Sequence, residues 1–292
     1  MRHPVDSSLV HKRSATQVLL RTAETNPDGS LGINVALPQG HPFHHTLPES
    51  TTLLGVELMR QCAISFAHLD RGVPPGWAFL MNEVAFGWHG GKAPETPEQF
   101  TGRVNVRLLA AKTRKEVVSD LQLEADYVAG GVILGSGRGD LSTLPPRAYQ
   151  AIRRNASPTP LESTGPLGTV LADVHHEPEG LEARLVWNQK DRFIFDHPCD
   201  HLSGMLLSNA VLHAHRLLTG SQAQDFSLRC DNFAEYDQVT QVATSLIAPG
   251  KTRTTIIQSG RIVAFGSCGG PRAAGTVGPA AGRFHRQLIS TS

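Results

Sequence analysis

The chain of 292 residues has only four cysteines, Cys62, Cys199, Cys230 and Cys268, and no two of them stand in a CxxC or other paired spacing. This excludes a disulfide frame or zinc knuckle legible in sequence and leaves reduced, buried thiols as the expectation. No run of about 18 apolar residues occurs, and the opening MRHPVDSSLVHKRS has no apolar signal core. The chain is therefore read as cytoplasmic, with no membrane partner. Neither sign of charge dominates: 27 Lys and Arg stand against 26 Asp and Glu, a formal charge of +1. That balance excludes a basic nucleic-acid surface. HExxH and GxSxG are both missing, and no cysteine sits in a recognisable nucleophile setting. Fourteen histidines invite a metal reading, but neither HPFHH nor DHPCDH has metal-ligand spacing, so no metal and no cofactor is expected.

What the chain does hold is an order of elements that occurs twice. Apolar residues make up 40 % and charged residues 18 %, as in an ordinary globular core, and the length allows two domains. HPFHHTLPESTTLLGVELMRQCAISFAHL starts at His41, and HPCDHLSGMLLSNAVLHAHRLL starts at His197. Each follows a strand-like stretch (SLGINVALP, ARLVWNQKDRFIF) and leads into a helical one, residues 52–69 and 204–218. Several strands rich in β-branched and aromatic residues come next in each block, ending in GVILGSGRG and RIVAFGSCGG. GSGRG precedes no helix pattern, so it reads as a bulge or turn in preference to a phosphate loop. RRNASPTPLESTGPLG marks the linker. The expected organisation is a first domain over 11–152, a linker over 153–167, a second domain over 168–270 and a C-terminal tail over 271–292.

The first helix is apolar on nearly every side, so it must be buried all round. A curved antiparallel sheet wrapped around one long buried helix meets that requirement. The expected fold is therefore α+β, a tandem double hotdog with the two sheets joined edge to edge.

The polar residues on these helices are the candidate site. With Glu57 at zero and about 100° per residue, Arg60 falls near 300° and Gln61 near 40°, so the three share one stripe. Buried charges must pair or face a cleft. The stripe is thus either a Glu57–Arg60 pair inside the core or the wall of a substrate tunnel. On the second helix Asn209, His213 and Arg216 share the corresponding stripe, with Asn209 at the Glu57 position, Leu212 at that of Arg60 and His213 at that of Gln61. An amide is no carboxylate base, so the first helix is the better place for proton transfer. Arg216 could offer its charge to a phosphate. The turns around His41, Phe43, Asp200 and His201 are expected to line one mouth of the cleft.

These stretches resemble a known family. VHKRSATQVLL, the HPF turn, LLGVELMRQCAISFAH and DHPCDHLSGMLL are similar to the A-factor biosynthesis hotdog proteins of actinomycetes, in order and spacing, over most of residues 10–270. The resemblance implies an acyltransferase of secondary metabolism that makes precursors of γ-butyrolactone, butenolide or furan signalling molecules. It implies two partners: a β-ketoacyl thioester on acyl carrier protein, and dihydroxyacetone phosphate. Glu57, Arg60 and Gln61 match the family's first-helix Glu, Arg and Gln, which makes them the catalytic candidates. Asp196, His197, Pro198, Asp200, His201, Gly204 and Met205 match the second-half turn. The chain departs from the pattern at Asn209, Leu212 and Ser203, where the family has Glu, Arg and Pro.

In the mechanism this implies, Glu57, its pKa raised by burial, takes the hydroxyl proton, and the first turn of a central helix offers backbone N–H groups to the thioester oxyanion. Arg60 holds the phosphate or pairs with Glu57, and replacing Glu57 by Gln abolishes turnover with the fold intact. Two rivals stand beside it: a double-hotdog acyl thioesterase or dehydratase, and a non-catalytic acyl- or lactone-binding protein. The oligomeric state is open between monomer and homodimer.

Overall fold

The computed structural model describes residues 2–43, 51–91, 93–94, 100–114, 116–156, 162–197 and 199–270. Its elements run β1 (Arg2–Pro4), two 3-10 turns (Ser8–Val10, Ala15–Gln17), β2 (Leu20–Thr25), β3 (Leu31–Ala36), α1 (Thr51–Leu69), β4 (Ala78–Trp88), β5 (Thr101–Arg114), β6 (Val117–Ala129) and β7 (Val132–Leu144). There follow α2 (Pro146–Arg153), β8 (Leu171–Glu177), β9 (Gly180–Leu185), α3 (Gly204–Thr219), β10 (Asp225–Cys230), β11 (Thr240–Ala248), β12 (Lys251–Gln258) and β13 (Arg261–Gly269).

All the strands join one antiparallel sheet in the order β1-β2-β3-β5-β6-β7-β4-β10-β13-β12-β11-β9-β8. Outward from the central β4–β10 pair, β7, β6, β5, β3 and β2 on one side match β13, β12, β11, β9 and β8 on the other. The sequence repeat is therefore a repeat of topology, and β4 and β10 close the seam with Phe226 opposite Phe86. α1 packs on β4 and β7, α3 packs on β11, β12 and β13, and the two helices touch each other.

Close packing of helix on sheet explains the glycines. A Cβ at Gly137 would lie 2.5 Å from the Met59 side chain, and one at Gly55 would lie 2.3 Å from the Phe86 ring. Gly266 does the same for α3, with Val211 2.6 Å away. The GSGRG stretch is thus a run of regular strand in β7, where absent side chains let α1 settle on the sheet. This corrects its reading as a bulge or turn. α3 starts where the Ser203 hydroxyl accepts from Leu206 N–H, and it ends at Gly220 in the left-handed region, φ +71°.

The expected linker differs in one respect. Arg153 still belongs to α2, an unpredicted helix that projects toward the second half. Residues 157–161 and the expected tail, 271–292, lie outside the described residues. So do His44, His45, Pro198 and the segment entering α1. No described helix is long and apolar enough to cross a membrane.

Candidate functional site

The first-helix stripe closes on an N-terminal segment. Glu57 is wholly buried. Arg60 grips it two-pronged, Nε on Oε2 at 2.8 Å and Nη2 on Oε1 at 3.0 Å. Lys12 Nζ, on a side chain only 4 % exposed, lies 3.2 Å from Oε1. Gln61 Nε2 donates to the same oxygen at 2.8 Å and to the Gln17 carbonyl at 2.8 Å, while Gln61 Oε1 accepts from Leu19 N–H. Arg60 also donates to the Val10 carbonyl, which ties the 10–19 segment to α1.

Burial by itself would raise the Glu57 carboxyl, but Arg60 and Lys12 outweigh it and hold the group well below the usual carboxylate range. This corrects the expectation of a raised pKa, and an anion so held is a weak proton acceptor. Burial pulls Lys12 down, partly offset by Glu57. Arg60 moves upward, because Glu57 overcomes its burial.

Three histidines ring this cluster. His68 Nδ1 lies 2.6 Å from the Val73 carbonyl and must donate to it, so its Nε2 accepts from His11 Nε2–H at 3.1 Å. Burial first, and then the positive charge of Arg60, push His11 down to about 4. His197 has a side chain 47 % exposed, with Nδ1 3.8 Å from Asp196 Oδ2. Burial of part of its ring, then Arg60 and Lys12, lower its pKa and keep it neutral.

The second turn builds a separate cluster. Asp200 Oδ1 accepts from Tyr149 at 2.7 Å and pairs with His201 Nδ1 at 2.7 Å, and Oδ2 accepts from Arg153 Nε at 3.0 Å. Arg153 also meets Glu235 through both terminal nitrogens, at 2.6 and 2.7 Å, and lies over the Phe233 ring. His201 is drawn down by burial, but Asp200 and Cys199 more than reverse this and raise it to about 9. Asp200, which burial would raise, is held low by His201, Tyr149 and Arg153. Ligand-type atoms of Cys199, Asp200 and His201 lie within 4.8 Å of one another. Both Asp200 oxygens are engaged, by Tyr149 and His201 on one side and by Arg153 on the other, so the group is knit into an ion-pair network.

The remaining candidates are spread out. His41 and Phe43 are buried; His41 Nδ1 accepts from Phe43 N–H, and both rings pack edge-on against Phe193. Asn209 is buried on α3, His213 is half-buried, and Arg216 lies exposed in the last turn. None of these three joins the Glu57 cluster. A cavity of about 780 Å³ opens beside that cluster, lined in part by Arg13, Gln17, Lys190, Arg192 and Asp196. Helical spacing has no means of finding Lys12, Gln17, Tyr149, Arg153 or Glu235, which lie on other segments of the chain and meet the candidate residues only in the fold.

Residues 1–140 match the family model described as the A-factor biosynthesis hotdog domain. The match takes in the first half of the chain. Across both halves the chain is 26 % identical to a 2-oxo-3-(phosphooxy)propyl 3-oxoalkanoate synthase of Streptomyces coelicolor, covering 93 % of each. A synthase of the same name from Streptomyces griseus is 24 % identical, covering 94 % of this chain and 97 % of that one. Among solved structures, an acyl-ACP thioesterase from Bacteroides thetaiotaomicron is similar with a TM-score of 0.48 at 11 % identity, over 82 % of this chain and 96 % of that one. The 12:0-ACP thioesterase of Umbellularia californica has a TM-score of 0.44 at 11 % identity, over 84 % and 96 %. The matched residues contain the whole of α1 and the Lys12–Glu57–Arg60 cluster.

Proposed function

We propose that the chain is a tandem double hotdog, with domains over 11–152 and 168–270, that joins a β-ketoacyl group to dihydroxyacetone phosphate. The acyl donor is a thioester on acyl carrier protein, and the product is the phosphorylated ester that precedes a butenolide-type signalling molecule. The observation that carries this reading is the buried ionic cluster of the first half, in a chain whose full-length relatives bear the name of that synthase.

In this reading Glu57 and Gln61 are positioning residues. Glu57 keeps Lys12 and Arg60 cationic and in place, and Gln61 fixes the carboxylate. Arg60, with its side chain 19 % exposed, is the member of the stripe that meets substrate. His197, neutral and open to solvent beside Asp196, replaces Glu57 as the base. It takes the proton of the triose phosphate hydroxyl as the oxygen bonds to the thioester carbonyl carbon. The C–S bond then breaks, and the thiolate leaves with that proton. Cations near the carbonyl oxygen favour the negative charge that develops there. His41, Phe43, Asp200, His201, Asn209, His213 and Arg216 shape the surroundings of the acyl donor in this scheme.

The specific observation favouring a non-catalytic acyl- or lactone-binding protein is α3, where Asn209 and Leu212 carry no charge. Mass spectrometry of the purified chain with a β-ketoacyl thioester, with and without dihydroxyacetone phosphate, decides. A phosphorylated ester formed only with the triose phosphate is the expected result. Free acid in both mixtures overturns the proposal in favour of a thioesterase, and unchanged thioester in both overturns it in favour of binding alone.

A further inference from the structure

The cavity of about 780 Å³ lies where three stretches of chain meet: the segment after β1, the turn at residues 40–42 and the segment before α3. Its volume is that of a small-molecule site. Three cations line it, Arg13 from the first half and Lys190 and Arg192 from the second. All three residues are exposed, and no hydrogen bond or ion pair holds their side chains among the described residues. The single carboxylate in the lining, Asp196, is turned to other partners. Its oxygens accept from Arg13 N–H, Ser14 N–H and Gln17 Nε2. Three cations and one occupied anion leave the cavity with two surplus positive charges, the complement of a phosphomonoester dianion.

The floor joins this cavity to the buried cluster. Gln17 Nε2 donates to Asp196 and to the Arg192 carbonyl, both in the cavity wall, while Gln17 Oε1 lies 3.2 Å from Lys12 Nζ. Lys12 in turn pairs with Glu57. Whatever binds between Arg13 and Arg192 therefore sits one side chain away from the Lys12–Glu57–Arg60 group.

We propose that this cavity is the phosphate subsite, in which Arg13, Lys190 and Arg192 hold the phosphomonoester of the triose phosphate. The identity of the ligand rests on the proposed reaction; the position of the subsite does not. Guanidinium groups suit the role, since each offers two parallel N–H donors to phosphate oxygens. Because the cavity needs Arg13 from one half and Arg192 from the other, neither half alone would bind the phosphate.

The test uses the full chain and its R13Q/R192Q variant, with binding read by calorimetry for inorganic phosphate, dihydroxyacetone phosphate, dihydroxyacetone and 4′-phosphopantetheine. The wild type should bind inorganic phosphate and the triose phosphate but not dihydroxyacetone. Each lost charged contact should weaken the triose phosphate about tenfold or more, with the melting temperature unchanged because both side chains are exposed. In turnover the loss should appear in the KM for the triose phosphate more than in kcat, and Arg13→Lys should recover part of it. Unchanged affinity in R13Q/R192Q, or no phosphate binding by the wild type, overturns the subsite. A loss confined to 4′-phosphopantetheine also overturns it and assigns the cavity to the carrier arm. Ester formation with a wild-type KM in the variant would sink the subsite and leave the reaction standing. Phosphate binding that the variant loses, in a chain that makes no ester, would sink the reaction and leave the subsite standing.

Discussion

The two halves share a topology, yet they spend their charged residues differently. In the first, a carboxylate at the centre of α1 is sealed from water with two cations around it. In the second, α3 carries an amide and a leucine at the matching positions, and the charges gather outside the helix on Asp200, His201, Arg153 and Glu235. The physical difference is dielectric. In the first cluster Glu57 and Lys12 have no solvent to fall back on if a partner is lost, whereas the second keeps Asp200 and Glu235 partly wet and can rehydrate. A site that needs charges held in fixed positions belongs to the first half, and a brace between α2 and the turn before α3 belongs to the second.

Removing the central anion should have the largest effect. Glu57→Gln leaves Lys12 buried and Arg60 largely buried without their counter-charge, and we expect a loss of about 3–5 kcal/mol in urea unfolding. This replaces the sequence-based expectation that the fold would be untouched. Adding Lys12→Met to Glu57→Gln should recover part of that loss, because one stranded cation is gone; strictly additive losses would refute the coupling.

In the second half, Arg153→Ala should cost less, about 1.5–3 kcal/mol, since its carboxylate partners regain water. A loss equal to that of Glu57→Gln would erase the contrast between the halves. Gly137→Ala and Gly266→Ala probe what the halves share, and each should cost about 1–3 kcal/mol through the collision of helix and strand. Gly139→Ala is the control: its Cβ would first meet Ala63 at 3.9 Å, so its melting curve should barely move.

The subtlest separation is in pH. His11, ordinarily near 6.5, lies at about 4 when folded. Its contribution is whole above about 6.5 and is lost as pH falls toward about 4, where the unfolded chain binds the extra proton. His201 is raised to about 9, so its contribution is whole below about 6.5 and is lost as pH rises through about 9. Glu57, held low, adds a further loss as pH falls below the ordinary Glu value of about 4.3. His201→Asn should flatten the alkaline limb of the stability profile, and His11→Asn should flatten the acid limb between about 6.5 and about 4 and leave the alkaline limb alone. A profile in which His11→Asn also flattens the alkaline limb would contradict separate clusters.

Periodicity alone located α1 and α3 within a residue of each end, because a helix apolar on nearly every side has few other places to go. It also put Glu57, Arg60 and Gln61 on one stripe, which is where they meet. The strands β2 and β8 have no clear signal in the sequence. LRTAET and LADVHHE alternate weakly and owe their pairing to the neighbours β3 and β9.

The sequence by itself determined the doubling of the chain, the two buried helices and the polar stripe on the first, since these depend on local pattern and on the rule that apolar surface leaves water. Only the tertiary structure decided that Lys12 would join Glu57, that the carboxylate would stay ionised, and that Arg13 and Arg192 would face one cavity. Those facts depend on distances between residues far apart in the chain, and charge interactions are set by distance and burial, neither of which a linear order of residues contains.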